Sequence, residues 1–231
     1  MPLRIFRCNC FYALVLVGVS CPALLRAQDM SAIAILQPAS GCNLSSAETI
    51  RARFINHGPG LPGGSILDLS YSINGGVPVT ETVFLGNPQP PNAKFNYSFV
   101  APADLSVQGS YTIVASIALP ADGNPGNNAS DPYTVNNWTA SIAGSLAGPG
   151  EPVVAGVLSL DGQTGAVVEW QQSTDGARWR ALENNSATQA FSGLTAPTEF
   201  RVLVQNGLCA PVLSSALRVV TNEIYANGFE P

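Results

Sequence analysis

Charge, histidine, lysine and long apolar runs are all scarce in this chain of 231 residues. Its one histidine is His57 and its one lysine is Lys94. A zinc centre takes several His or Cys side chains at close spacing, which a lone imidazole does not supply. A hydrolase triad would have only His57 as its base, and His57 lies inside the turn Asn56-His57-Gly58-Pro59-Gly60. No glycine-rich run precedes Lys-Ser or Lys-Thr, so a phosphate loop is absent. Acids alone do not rule out paired-carboxylate chemistry, but Asp68 and Glu169, the acids set within apolar strands, fall at outward positions. The expectation is a non-catalytic protein with no catalytic residue to nominate. The apolar run Phe11–Val19 is shorter than the ~20 residues a spanning helix needs, so no membrane span is expected.

That run has another use. Arg4 and Arg7 precede it and small residues follow around Leu25-Arg26-Ala27, the pattern of an export signal cut after Ala27. Cleavage before Cys21 with lipidation there is the less favoured alternative, because Gly18 and Pro22 fit it loosely. Losing residues 1–27 removes three arginines and no acid, leaving 7 basic against 15 acidic residues and a net charge of −8. Such a surface repels phosphate, which excludes nucleic acid as a partner. The expected location is outside the cell or on its outer surface.

Cysteine is equally sparse. Of five, Cys8, Cys10 and Cys21 lie in or beside the leader, so only Cys42 and Cys209 remain. This is no disulfide scaffold. The two either bridge distant parts of the chain or remain separate buried thiols. Nothing in the sequence brings them together, which favours the thiols slightly.

What is plentiful is Gly, Pro, Asn, Ser and Thr between short alternating runs, the composition of strands joined by turns. Ile50, Ala52 and Phe54 alternate with Arg51 and Arg53, and Leu67, Leu69, Tyr71 and Ile73 repeat the pattern. Asn74-Gly75 marks a tight hairpin into Val77–Phe84, and Tyr111–Leu119 is a further strand. Asn136-Asn137-Trp138 reads as a short join. Beyond it, Gly165–Trp179 predicts a hairpin with an inward Trp170 and a reversal at Asp175-Gly176, and Phe200, Val202 and Val204 share one strand face. The prediction is an all-β chain of two tandem immunoglobulin-like β-sandwich domains, over residues 29–135 and 136–221.

The segments S-G-C-N-L-S (40–45), T-I-R-A-R-F-I-N-H-G (49–58), Y-S-I-N-G-G-V-P-V-T-E-T (71–82) and D-G-N-P-G-N-N (122–128) together resemble CARDB-like modules of bacterial exported proteins. Gly109-Ser110-Tyr111 resembles a tyrosine corner. Residues 165–179 and 194–209 are similar to the immunoglobulin-like repeats of bacterial adhesins. In those repeats a cysteine near the domain start often partners the one matching Cys209, whereas this chain has Ala147-Gly148-Pro149-Gly150 there. The end Ile224-Tyr225-Ala226-Asn227-Gly228-Phe229-Glu230 resembles a short sorting or processing motif of exported proteins. The resemblance implies a structural or adhesive role, with an extracellular protein or glycan as partner.

Two local readings add candidate sites. Side-chain oxygens of Asp122, Asn124 and Asn127 form a candidate calcium cradle, although one carboxylate among three is few and a plain turn needs the same residues. Trp138 and Trp179, near turns, are candidates for stacking on a sugar face, the chemistry of a carbohydrate-binding or enzyme-accessory protein.

Overall fold

A computed structural model describes residues 27–221. The expected leader, Cys21 and the tail 222–231 lie outside the described residues. Within them the chain is all-β, with one 3-10 turn at Pro125–Asn127.

The first sandwich packs two sheets around one core. Strands β1 (Met30–Gln37), β3 (Arg51–Asn56) and β6 (Lys94–Ser98) form one sheet in the order β1-β3-β6. The other contains β2 (Gly41–Cys42), β4 (Ile66–Ile73), β5 (Val79–Phe84), β7 (Gly109–Ala118) and β8 (Tyr133–Trp138), in the order β2-β8-β7-β4-β5. Alternation decides which side chains meet. Ala52 and Phe54 face the core from β3, where Leu67, Leu69 and Tyr71 of β4 and Ile113 and Ala115 of β7 are buried opposite. Phe54 stacks on Phe95 at 5.4 Å, and Phe99 meets Tyr71 edge-on at 5.0 Å. The β4–β5 hairpin turns through Asn74 and Gly75, with φ of 51° and 69°, a two-residue reversal that needs left-handed backbone at both positions. Tyr111 donates its hydroxyl to the Val107 carbonyl at 2.6 Å, a tyrosine-corner bond four residues back.

The second sandwich opposes a small sheet, β13-β10-β9, to a larger one, β12-β11-β14-β15, with β16 also paired to β14. Its strands are β9 (Ser145–Ala147), β10 (Gly156–Asp161), β11 (Ala166–Ser173), β12 (Arg180–Leu182), β13 (Thr188–Phe191), β14 (Thr198–Gln205), β15 (Val212–Leu213) and β16 (Leu217–Val219). Trp170 on β11 is fully buried against Phe200, Val202 and Val204 of β14, and its Nε1 donates to the Ser186 carbonyl at 2.9 Å. The β11–β12 reversal is held by Asp175, whose Oδ1 accepts the amides of Ala177 at 2.9 Å and Arg178 at 2.7 Å. Those bonds, with that of the Ser173 hydroxyl, hold its carboxyl below the ordinary range.

One expectation is corrected. Asn136-Asn137-Trp138 is not a join but the last half of β8, and the connection follows Trp138. Asn137 misleads because it is polar and yet buried: its Nδ2 donates to the Leu105 carbonyl at 2.7 Å and its Oδ1 accepts the Leu44 amide at 2.8 Å.

Candidate functional site

The densest meeting of candidate residues lies between the sandwiches. Strand β2 runs parallel to β8, pairing Gly41 with Asn137 and Cys42 with Trp138. The Asn43 amide donates to the Trp138 carbonyl at 2.7 Å, which pins Cys42 beside the end of β8. From the other side comes the turn after β14, Asn206-Gly207-Leu208-Cys209. The Cys209 amide closes it on the Asn206 carbonyl at 2.9 Å. Cys42 and Cys209 are joined as a disulfide, with S–S of 2.07 Å and Cα atoms 5.0 Å apart. The slight preference for two thiols is thereby corrected; their sequence separation of 167 gives no local sign of the approach.

Polar and apolar contacts reinforce this joint. The Asn206 amide donates to Ser141 Oγ at 2.9 Å, and Asn206 Nδ2 to the Thr139 carbonyl at 2.9 Å. Gly207 lies flat on the indole of Trp138: a β-carbon there would stand 2.3 Å from Cδ2 and Cε2, and φ is +53°. Trp138 is therefore half-buried with this turn against its ring. Only glycine allows so close an approach in that backbone conformation.

Trp179 is also half-buried, on the β12 side of the larger sheet. The guanidinium carbon of Arg201 lies 3.9 Å from its ring centroid, a cation–π contact. Arg201 Nε donates to Gln171 Oε1 at 2.6 Å, which fixes the guanidinium in place. Both tryptophans nominated for stacking thus already carry a protein group on the ring.

The calcium candidates separate. Asp122 and Asn127 turn to the start of β1: Asp122 Oδ2 accepts the Met30 amide at 3.2 Å, and Asn127 Nδ2 donates to Asp29 Oδ1 at 2.9 Å. Asn124 stays exposed, linked through its amide to Asp122 Oδ1 at 2.8 Å. Sequence reading missed Gln28 and Asp29 here, because a contact across 98 residues leaves no local trace. Among the described residues no three His, Cys, Asp or Glu side chains gather as a metal cluster.

Glu81 on β5 gathers three donors in the first sandwich. Its carboxylate accepts the Tyr97 hydroxyl at 2.6 Å and the amides of Val100 at 3.1 Å and Ala101 at 2.8 Å. Burial alone pushes Glu81 up, but the bonds from Ala101, Tyr97 and Val100 outweigh it and hold the group below its ordinary value. Burial, then the bond to and charge of Glu81, push the Tyr97 phenol up to about 12. The arrangement fixes the Val100–Ala101 loop onto the edge strand β5.

A family model described as "Domain of unknown function (DUF8696)" matches residues 151–223. No curated protein matches the chain. Among solved structures it is similar to the CARDB domain of a Pyrococcus furiosus protein in complex with di-metal ions, at 20% identity and TM-score 0.36, covering 48% of this chain and 89% of that one. It is similar to a tetra-tandem repeat in the extending region of a large adhesion protein, at 13% identity and TM-score 0.36, covering 86% of this chain and 50% of that one. A segment of two fibronectin type III domains from chicken tenascin is similar at 13% identity and TM-score 0.29, covering 84% of this chain and 99% of that one. The solved structures that this chain is similar to thus include a CARDB domain and tandem adhesin and fibronectin-type repeats.

Proposed function

We propose that the chain is a non-catalytic exported module with a structural or adhesive role at or outside the cell surface. The carrying observation is the joint. The Cys42–Cys209 bridge, the Asn206 hydrogen bonds and the Gly207–Trp138 contact hold two sandwiches in one arrangement. Two faces at a fixed angle suit a spacer or a bivalent binder, and a structural disulfide belongs to an oxidising compartment. The partner is an extracellular protein or glycan. Edge strand β5 offers a contact surface for it: Phe84 and Ile66 pair directly and are 68% and 51% exposed.

The carbohydrate reading has less support, since Arg201 covers Trp179 and Gly207 lies on Trp138. Deleting the gene and scoring attachment of the native cells to protein- and glycan-coated surfaces tests the proposal. Attachment should fall and recover with the restored gene, and the chain should be found in envelope or medium. Unchanged attachment, with the chain retained inside the cell, would sink the reading.

A further inference from the structure

Three side-chain oxygens beside the start of β1 are shut off from solvent without a hydrogen-bond donor: Gln28 Oε1, Asn127 Oδ1 and Asn128 Oδ1. They come from two segments that the fold presses together. Gln28 forms an isolated parallel bridge with Asp122, and its carbonyl accepts the Gly123 amide at 2.6 Å. Asp29 and Asp122 stand in the same two segments, tied across by the bonds from Asn127 to Asp29 and from Met30 to Asp122. A buried acceptor without a donor is unfavourable on its own. Three of them, on the two segments that also carry Asp29 and Asp122, leave a surplus of oxygen acceptors there, and a cut after Ala27 would add only the Gln28 α-ammonium to set against them. Exchanging O and N of the Asn127 amide gives no relief, because its oxygen would then face the Asp29 carboxylate.

We propose that this junction is a calcium-ion site, with Asp29 and Asp122 supplying charge and the amide oxygens of Gln28, Asn127 and Asn128 completing the protein's share of the shell. The donor set is all oxygen, which suits a hard cation and not zinc or copper. His57, whose amide caps the Asp29 carbonyl at 2.7 Å, has its Nε2 engaged with Ser31 Oγ at 2.9 Å. Two carboxylates with neutral oxygens from two loops favour calcium over magnesium, which demands a near-ideal octahedron and keeps its water. Asn124, named from sequence alone, is exposed and has no part in the set.

The test is titration calorimetry of the chelator-treated protein with calcium chloride, paired with thermal unfolding in calcium and in chelator. A single saturable site is expected, with Kd at or below about 1 mM, the range of extracellular modules. The unfolding midpoint should rise with calcium and fall back in chelator. Asp29→Asn and Asn128→Ala should each weaken binding about tenfold or more; Asn128→Ala breaks no hydrogen bond of the Asn128 Oδ1 atom, so it keeps the question open if the aspartate variant fails to fold. No heat and no midpoint shift at about 10 mM calcium would overturn the proposal. So would an equal response to magnesium, which would be screening of an acidic surface, or binding unchanged in both variants.

Discussion

Trp170 shows how much one side chain can decide. It is fully buried, touches the inner face of β14 and spends its only polar atom on the Ser186 carbonyl. Trp170→Ala therefore leaves both a large cavity and an unpaired carbonyl, and a loss of about 3–5 kcal/mol is expected in urea unfolding. Glu81 makes a pH-dependent counterpart in the other sandwich. Its folded value lies below its unfolded one. Its contribution is therefore complete above the unfolded value and is lost as pH falls through the folded value. Urea midpoints measured from neutral pH downward should drop through the acid range, and Glu81→Gln should flatten that drop. Glu81→Gln should also cost about 1–3 kcal/mol at neutral pH, because three donors lose a charged acceptor.

Among elements, the turn Asn206–Cys209 determines how the sandwiches meet. Gly207→Ala would place a methyl group into the Trp138 indole in a left-handed conformation. A loss of about 1–3 kcal/mol is expected in urea unfolding. That loss should shrink when Trp138→Ala is added, since the clash is the cause and a double-mutant cycle isolates it. The strands themselves were readable where alternation runs long. Ala52 and Phe54 in β3, Leu67 to Tyr71 in β4 and Phe200 to Val204 in β14 all face their cores as their period of two requires. Strands β9, β12 and β15 have two or three residues each and owe their form to the neighbour they pair with. No pattern marks such pieces. The candidate site was readable only in fragments, because the joint and the Asp29–Asn127 contact depend on approaches over 167 and 98 residues. Asn137 and Asn56 read as turn formers by type, yet each is buried and satisfied, Asn56 by the carbonyls of Pro59 and Gln89 and the amide of Gly58.

For the whole molecule, the bridge and the noncovalent joint are separable. Replacing both cysteines by serine should leave the two cores folded but widen the spread of their relative orientations, visible as broadened solution scattering and faster, independent tumbling in NMR relaxation. Unchanged tumbling would mean that Asn206 and Gly207 hold the joint without the bridge. The bridge has one more consequence, which is mechanical. When the chain is pulled between its two ends, tension enters at Cys42 and leaves at Cys209 through the sulfur atoms. Once β1 has been pulled from β3, and β15 and β16 from β14, residues 43–208 carry no load along the backbone. Only the short lengths outside the bridge can be peeled away. The stretch kept slack corresponds to roughly 570 Å of extended chain, at about 3.4 Å per residue. In single-molecule pulling that length should appear only after reduction, while the oxidised protein should lengthen only by the strands outside the bridge.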